Sequence, residues 1–399
     1  MTTTTEQMCA WRGPALFTYG FRPFFLGAAL WAGLAMALWV PMLSGALTLP
    51  TAFDPVSWHA HELIFGYLSA VVAGFLMTAV PNWTGRLPIV GWPLAALAAL
   101  WLVGRVAVAV SAGLPAGLVA ALDLAFGVVL TAMIAREIAA GRNWRNLIVL
   151  AMLGALIAGN ALFHWEAATG VYAAQGGGAR LGLGAGIMMI AVIGGRIVPS
   201  FTRNWLVKRG ARALPAPPMQ GVDKLALAVL LVALSAWLIA PQGLPAAVAL
   251  LLAGALHLVR LARWCGHRSL AEPLLWILHV DYAFVPLGAL ALGAAILRPD
   301  VILPSSAQHL WMIGGIGVMT LAVMTRATLG HTDRPLTAGG GTVAIYLLAI
   351  LATLARLLAG MLPGEAALLQ SVSGLAWIGA MAGFAVLYGR LLLRPKVFD

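Results

Sequence analysis

Long, uninterrupted apolar runs dominate this sequence and set the strictest limit on how it can fold. A helix needs about 20 residues to cross a hydrocarbon core about 30 Å thick. A transmembrane β-barrel would instead show short alternating strands. The sequence therefore predicts an all-α polytopic membrane protein. Its twelve transmembrane helices, called spans 1–12 in chain order, are predicted at residues 24–44, 61–80, 92–111, 115–135, 146–165, 181–200, 222–240, 244–262, 273–296, 308–325, 342–362 and 366–390.

Charged residues are scarce, and their placement predicts the orientation. They make up 9% of the chain, whereas soluble domains carry about 25%, so soluble and disordered classes are excluded. Of the 24 Lys and Arg residues, three fall inside predicted spans and two in loops on one side, which leaves nineteen on the other side. The positive-inside rule then places both termini in the cytoplasm. The net charge of +11 is accounted for by this asymmetry and requires no nucleic-acid partner.

A weak internal repeat relates spans 2, 6 and 10. The segment 61–86 aligns without gaps with 179–204 and 309–334, which superimposes Gly66, Gly184 and Gly314. Repeats of this kind are a common way to build membrane proteins. We expect an interfacial lead-in at 1–23, one transmembrane domain at 24–390 and a cytoplasmic tail at 391–399. Within the domain, three four-helix units are predicted, approximately at 24–135, 146–262 and 273–390.

Histidines near the outer ends of the spans are the predicted ligands. His61 and His309 are equivalent in the repeat, and two facing imidazoles suit the axial positions of a haem iron. His59 is then available for a second metal such as copper, for which imidazole is a good ligand. His164, at the outer end of span 5, is a further candidate ligand. His279, inside span 9, is a ligand or part of a proton relay. The alternative is that such histidines cap helices or meet lipid headgroups.

Two arginines inside the membrane occupy equivalent places in the repeat. Arg105 and Arg356 each lie fourteen residues beyond equivalent positions in spans 3 and 11, which corresponds to about 21 Å along a helix. Guanidinium groups at that depth would suit haem propionates. The alternative is snorkelling, or an ion pair with an acid such as Glu62, Asp123 or Glu166. Because the few membrane acids form no chain from the cytoplasm, Glu62 is the candidate proton donor, acting from the outer side.

Five motifs together resemble the NnrS family of bacterial membrane proteins over nearly the whole chain. They are FRPFFLGAALWA (21–32), WHAHE (58–62), GFLMTAVPNWTGR (74–86), GRIVPSFTRN (195–204) and LAVMTRATLGHT (321–332). The resemblance implies haem, which we expect to be haem b, together with copper and a link to nitric oxide stress in denitrifying bacteria. It also implies the bacterial cytoplasmic membrane. The ligand residues named above come from topology and the repeat, not from the resemblance.

The helix arrangement is also similar to the core of haem-copper oxidases, although span 6 lacks a histidine and span 10 has a single one near its start. The first functional hypothesis is a haem-containing oxidoreductase that reduces nitric oxide with electrons from quinol or a periplasmic donor. A second is a haem protein that binds or senses nitric oxide without turnover. A third, suggested by twelve helices and internal repeats, is a transporter.

Overall fold

The computed structural model describes residue 6 and residues 10–395, and every regular element in that part of the chain is helical. Twelve helices there are long and apolar enough to cross a membrane, which confirms the predicted fold class and a multi-pass membrane protein. Parts of the predicted lead-in and tail lie outside the described residues. Spans 1–12 are Phe21–Leu43, Pro55–Thr84, Trp92–Ala109, Ala116–Ala140, Trp144–Ala168, Gly177–Val207, Gly221–Ile239, Leu244–Arg268, Pro273–Leu297, Pro304–His331, Gly340–Ala359 and Pro363–Leu393.

Local sequence signals set where span 2 begins and ends. Asp54 caps its N-terminus by accepting hydrogen bonds from the backbone of Val56 and Ser57, both at 2.9 Å. Pro55 occupies the first turn, where its missing N–H costs nothing. At the other end Gly85 takes a left-handed conformation with φ of 67°, which glycine adopts without a steric penalty.

Spans 2, 6 and 10 are the most buried of the twelve. In each of them 72% of an apolar stretch of 18 residues is buried, compared with 56% or less of the corresponding stretch in the other spans. These are also the spans that contain π-helical segments among the described residues, at Glu62–Tyr67, Ile190–Gly194 and Leu310–Val318. Such segments often mark functional sites. The sequence repeat aligns the same three spans, while the division into four-helix units stays a prediction.

The described chain forms two compact units. Unit 1 runs up to Gly182 and adds Ala327–Arg334 and the chain from Met381 onward, whereas unit 2 comprises Leu183–Arg326 and Pro335–Ala380. Among the predicted site residues, His59, His61, Glu62, Arg105 and His164 belong to unit 1. His279, His309 and Arg356 belong to unit 2.

Candidate functional site

The π-helical segment of span 2 begins directly after His61, at Glu62, and both side chains are fully buried. In a π-helix each backbone hydrogen bond joins residues five apart instead of four, and the change of pattern leaves some carbonyls in need of other partners. The indole of Trp101 supplies one by donating to the Gly66 carbonyl at 3.0 Å. Span 3 therefore supports the irregular turn that begins beside His61 and Glu62.

Three buried side chains from spans 2, 4 and 5 form a potential metal site. His61, Asp123 and His164 each offer one ligand atom, and these atoms lie within 4.8 Å of one another. The Nε2 atoms of His61 and His164 are 3.2 Å and 3.0 Å from the same oxygen, Oδ2 of Asp123. Two imidazoles and one carboxylate are a common ligand set for first-row transition metals.

Asn160 fixes the orientation of this cluster. Its amide nitrogen donates to Asp123 Oδ2 at 2.7 Å, so its carbonyl oxygen faces His61 Nε2 at 3.0 Å. The other ring nitrogen of His61 lies 3.0 Å from a carboxylate oxygen of Glu62. A histidine ligand held by a carboxylate through its second nitrogen is a recurrent feature of metal sites, because the hydrogen bond fixes the ring and its tautomer.

Arg105 lies between Asp123 of the cluster and the neighbouring carboxylate of Glu62. Its guanidinium donates to both oxygens of Glu62 at 2.8 Å and also pairs with Asp123. Trp31 donates to Glu62 at 2.7 Å. Two carboxylates and one guanidinium, when all are ionised, leave one negative charge in a buried place. Such a charge requires a compensating cation, either a proton or a metal ion.

Gly66 makes this close packing possible. A Cβ atom at that position would come within 2.5 Å of an Arg105 nitrogen, 2.9 Å of Glu62 Oε2 and 3.1 Å of the Trp31 indole nitrogen. The glycine that the sequence repeat singled out therefore leaves room for the ion pair.

Aromatic rings enclose the histidines. Phe53, Phe65 and Phe163 each lie with their ring centroid 5.4 Å from that of His61. Phe53 also contacts the ring of His164, with the centroids 5.7 Å apart. The rings exclude water, and exclusion of water strengthens the electrostatic interactions of the cluster.

The other predicted residues lie in different surroundings. His59 stacks on Trp39 with the centroids 4.2 Å apart, although it is only two residues from His61. The Nε2 atom of His279 in unit 2 is hydrogen-bonded to the Thr202 hydroxyl at 2.8 Å. Arg105 adopts the ion pair that the sequence analysis gave as the alternative to propionate binding. Glu166, a third possible partner for it, instead caps span 6 by accepting from Gly177 and Gly178.

His309 and Arg356 both form hydrogen bonds with residues at the start of span 10. The Nδ1 atom of His309 lies 2.6 Å from the Ser305 carbonyl oxygen. Arg356 donates to the Ser306 hydroxyl at 3.0 Å, within one helical turn of His309. A carbonyl oxygen only accepts hydrogen bonds, so Nδ1 is the donor nitrogen of His309 in this contact.

Sequence reasoning missed Asp123 and Asn160 as members of the cluster. Asp123 was considered only as an acid that could pair with Arg105. A signal existed for Asn160, because it is the first polar residue of a helix that is apolar up to that point and it precedes His164 by four residues. Residues four apart share a helix face. The roles predicted for the individual site residues stay predictions.

Comparison with known proteins gives one informative match. A search of curated proteins returns no significant relative. A family model described as NnrS protein matches residues 15–396, which is nearly the whole chain. The chain therefore belongs to the NnrS family, whose members are associated with the response to nitric oxide.

Proposed function

We propose that this protein handles nitric oxide at a redox-active metal ion bound by His61, Asp123 and His164. The observation that carries the proposal is the cluster itself, in which three ligand atoms from three spans lie within 4.8 Å. A buried group of this kind is rare within a membrane, because each ionisable side chain costs at least about 2.5–3.5 kcal/mol to insert. Ionisable side chains that are this costly inside a membrane usually serve a function.

Copper is the metal proposed for this cluster. Imidazole is a good copper ligand, and the family resemblance implies copper. The donor set fits a single ion, since its ligand atoms already converge. A bound cation would also balance the one negative charge that Glu62, Asp123 and Arg105 leave when all three are ionised. When bound, the metal would supply one-electron chemistry and an attachment point for nitric oxide.

The surroundings of His61 do not fit a haem. Both of its ring nitrogens face side-chain oxygens, and three phenyl rings lie 5.4 Å from it. A macrocycle bound through His61 would have to displace these groups. We therefore assign the proposed haem b to His309 in unit 2, the other histidine predicted as its axial ligand, and Arg356 would bind a propionate.

The protein's own residues prepare the metal cluster. Glu62 accepts from His61 and so directs the opposite ring nitrogen toward Asp123, while Arg105 compensates part of the negative charge. We propose Glu62 as the group that passes protons from the outer side when nitric oxide is reduced. The electrons would come from quinol or a periplasmic donor, and the protein would lie in the bacterial cytoplasmic membrane with both termini inside.

Metal content and nitric oxide consumption test this proposal. We expect the purified protein to bind one copper equivalent at the cluster, and we expect His61→Ala and His164→Ala to lose it. His59→Ala is the matched control, because His59 is nearby and half-buried but stacks on Trp39. Unchanged copper content in the His61→Ala and His164→Ala variants would contradict the assignment.

Amperometry separates reduction from binding. With a reduced quinol analogue present, we expect the wild type to consume nitric oxide continuously. His164→Ala should abolish this consumption, and His59→Ala should preserve it. A single stoichiometric uptake without turnover would instead favour a nitric oxide binding or sensing protein. A Soret band that survives His61→Ala but disappears in His309→Ala would support the haem assignment, and the reverse pattern would overturn it.

A further inference from the structure

A small cavity lies beside the metal cluster, between spans 2, 4 and 5 of unit 1. Its volume is ≈ 30 Å³, and Asp123 and Asn160 form part of its wall. A cavity of this size has room for one or two water-sized molecules, and so for one diatomic molecule. Most of the wall is apolar and comes from Phe65, Phe126, Leu130, Leu153, Leu156 and Ile157.

The polar groups in the wall are already engaged within the protein. Asp123 Oδ2 accepts hydrogen bonds from the Asn160 amide and contacts His164. The hydroxyl of Ser69 donates to the carbonyls of its own helix, including that of Gly66 at 3.2 Å. A buried water needs two to four polar partners. The cavity therefore suits an uncharged, weakly polar molecule better than water.

One side of the wall reaches the apolar surface of unit 1. Gly127 and Ile157, which line the cavity, are half-buried. Next to Gly127, the side chain of Val128 is 52% exposed, as expected of a residue that faces lipid. Uncharged diatomic gases dissolve in the hydrocarbon core, so they could enter from this side.

We propose that this cavity binds one small uncharged molecule, such as nitric oxide, which enters from the bilayer and reaches the metal cluster beside Asp123. The first part, occupancy of the cavity, depends only on its size and lining. The second part, delivery to the metal, rests on the proposed function. The two parts are tested separately.

Two glycine variants form a matched pair for the tests. Gly127→Leu would place a side chain in the cavity wall, where even a Cβ atom comes 3.0 Å from Ile157 Cγ1. The neighbour is a flexible side chain, so it can shift. Gly154→Leu makes the same change on span 5, where a Cβ atom meets nothing within 4 Å. Leucine favours helix more than glycine does, so both variants should fold.

Xenon tests occupancy without any reliance on metal or nitric oxide chemistry. Xenon binds in small apolar cavities. In crystals of the full chain under xenon pressure, we expect an anomalous peak in this cavity in the wild type and in Gly154→Leu. The peak should be absent in Gly127→Leu. A wild-type cavity without xenon would overturn the proposal, whether or not the protein binds nitric oxide.

Association kinetics test delivery to the metal. In reduced, copper-loaded protein, we expect nitric oxide to bind at least tenfold more slowly in Gly127→Leu than in the wild type or Gly154→Leu. Copper content should be equal in all three. Equal rates alongside the xenon result would overturn the access role. Copper-loaded wild type that binds no nitric oxide would refute the proposed function, while the xenon result would still decide whether the cavity takes a small molecule.

Discussion

Adding one methyl group at Gly66 should destabilise this protein, whereas the same change at Gly184 should not. The two glycines are aligned by the sequence repeat, so the substitutions Gly66→Ala and Gly184→Ala form a natural pair. At Gly66 the new Cβ would come within 2.5 Å of an Arg105 nitrogen and 2.9 Å of Glu62 Oε2. At Gly184 its nearest neighbour would be a Leu234 methyl at 3.7 Å, which is ordinary contact.

The magnitude follows from the hydrogen bonds that would be lost. The Arg105 nitrogen that would have to move donates to both oxygens of Glu62 at 2.8 Å. Hydrogen bonds to charged groups contribute about 1.5–3 kcal/mol each. Replacing glycine by alanine inside a helix returns roughly 0.5–1 kcal/mol. The net loss for Gly66→Ala is then about 2–5 kcal/mol, while Gly184→Ala should be neutral or slightly stabilising.

Reversible unfolding in mixed micelles measures this difference. The free energy of unfolding would be obtained by titrating detergent-solubilised protein with sodium dodecyl sulfate and following helix content by circular dichroism. Gly66→Ala should unfold at a clearly lower denaturant fraction than Gly184→Ala. If both variants match the wild type, or if Gly184→Ala is equally destabilised, then the close contact at Gly66 is not what constrains that position.

Other predictions follow from the same contacts. Copper affinity should fall as the pH is lowered, because copper competes with protons for the ligand nitrogen of His61. Isothermal titration at several pH values would measure this, and an affinity that does not change with pH would contradict the prediction. Glu166→Gln should cost on the order of 1 kcal/mol, since this carboxylate caps span 6, and unchanged unfolding would contradict that role. Tyr282→Phe should cost about 1–3 kcal/mol, because its hydroxyl joins Arg260 and His257 within unit 2. Equal stability in the unfolding assay would argue against that link.

The twelve spans could be predicted from the sequence because the bilayer imposes a length and a composition on each one. Span 9 illustrates this, since its predicted range of 273–296 differs from the observed Pro273–Leu297 by a single residue at one end. The π-helical segments could not be predicted in the same way. Their cause is partly tertiary, as in span 2, where a tryptophan from span 3 takes up a carbonyl of the irregular turn.

The site divides between what residue type reveals and what packing decides. His61, Glu62, Arg105 and His164 were candidates because charged and imidazole side chains are costly inside a membrane and so draw attention singly. Their partners could not be chosen by the same argument. Glu62, Asp123 and Glu166 were all possible partners of Arg105, and the structure pairs it with the first two while the third caps a helix.

The sequence by itself determined that this chain spans a membrane twelve times, because hydropathy is a local property that each segment carries alone. Only the tertiary structure decided that His61 converges with Asp123 and His164 on spans 4 and 5. Asp123 and His164 lie 62 and 103 positions after His61 in the sequence. Contacts over such separations depend on which helix faces turn toward one another. Small residues help to set those faces, as at Gly66, whose missing side chain leaves the space for the ion pair between Arg105 and Glu62 beside the cluster.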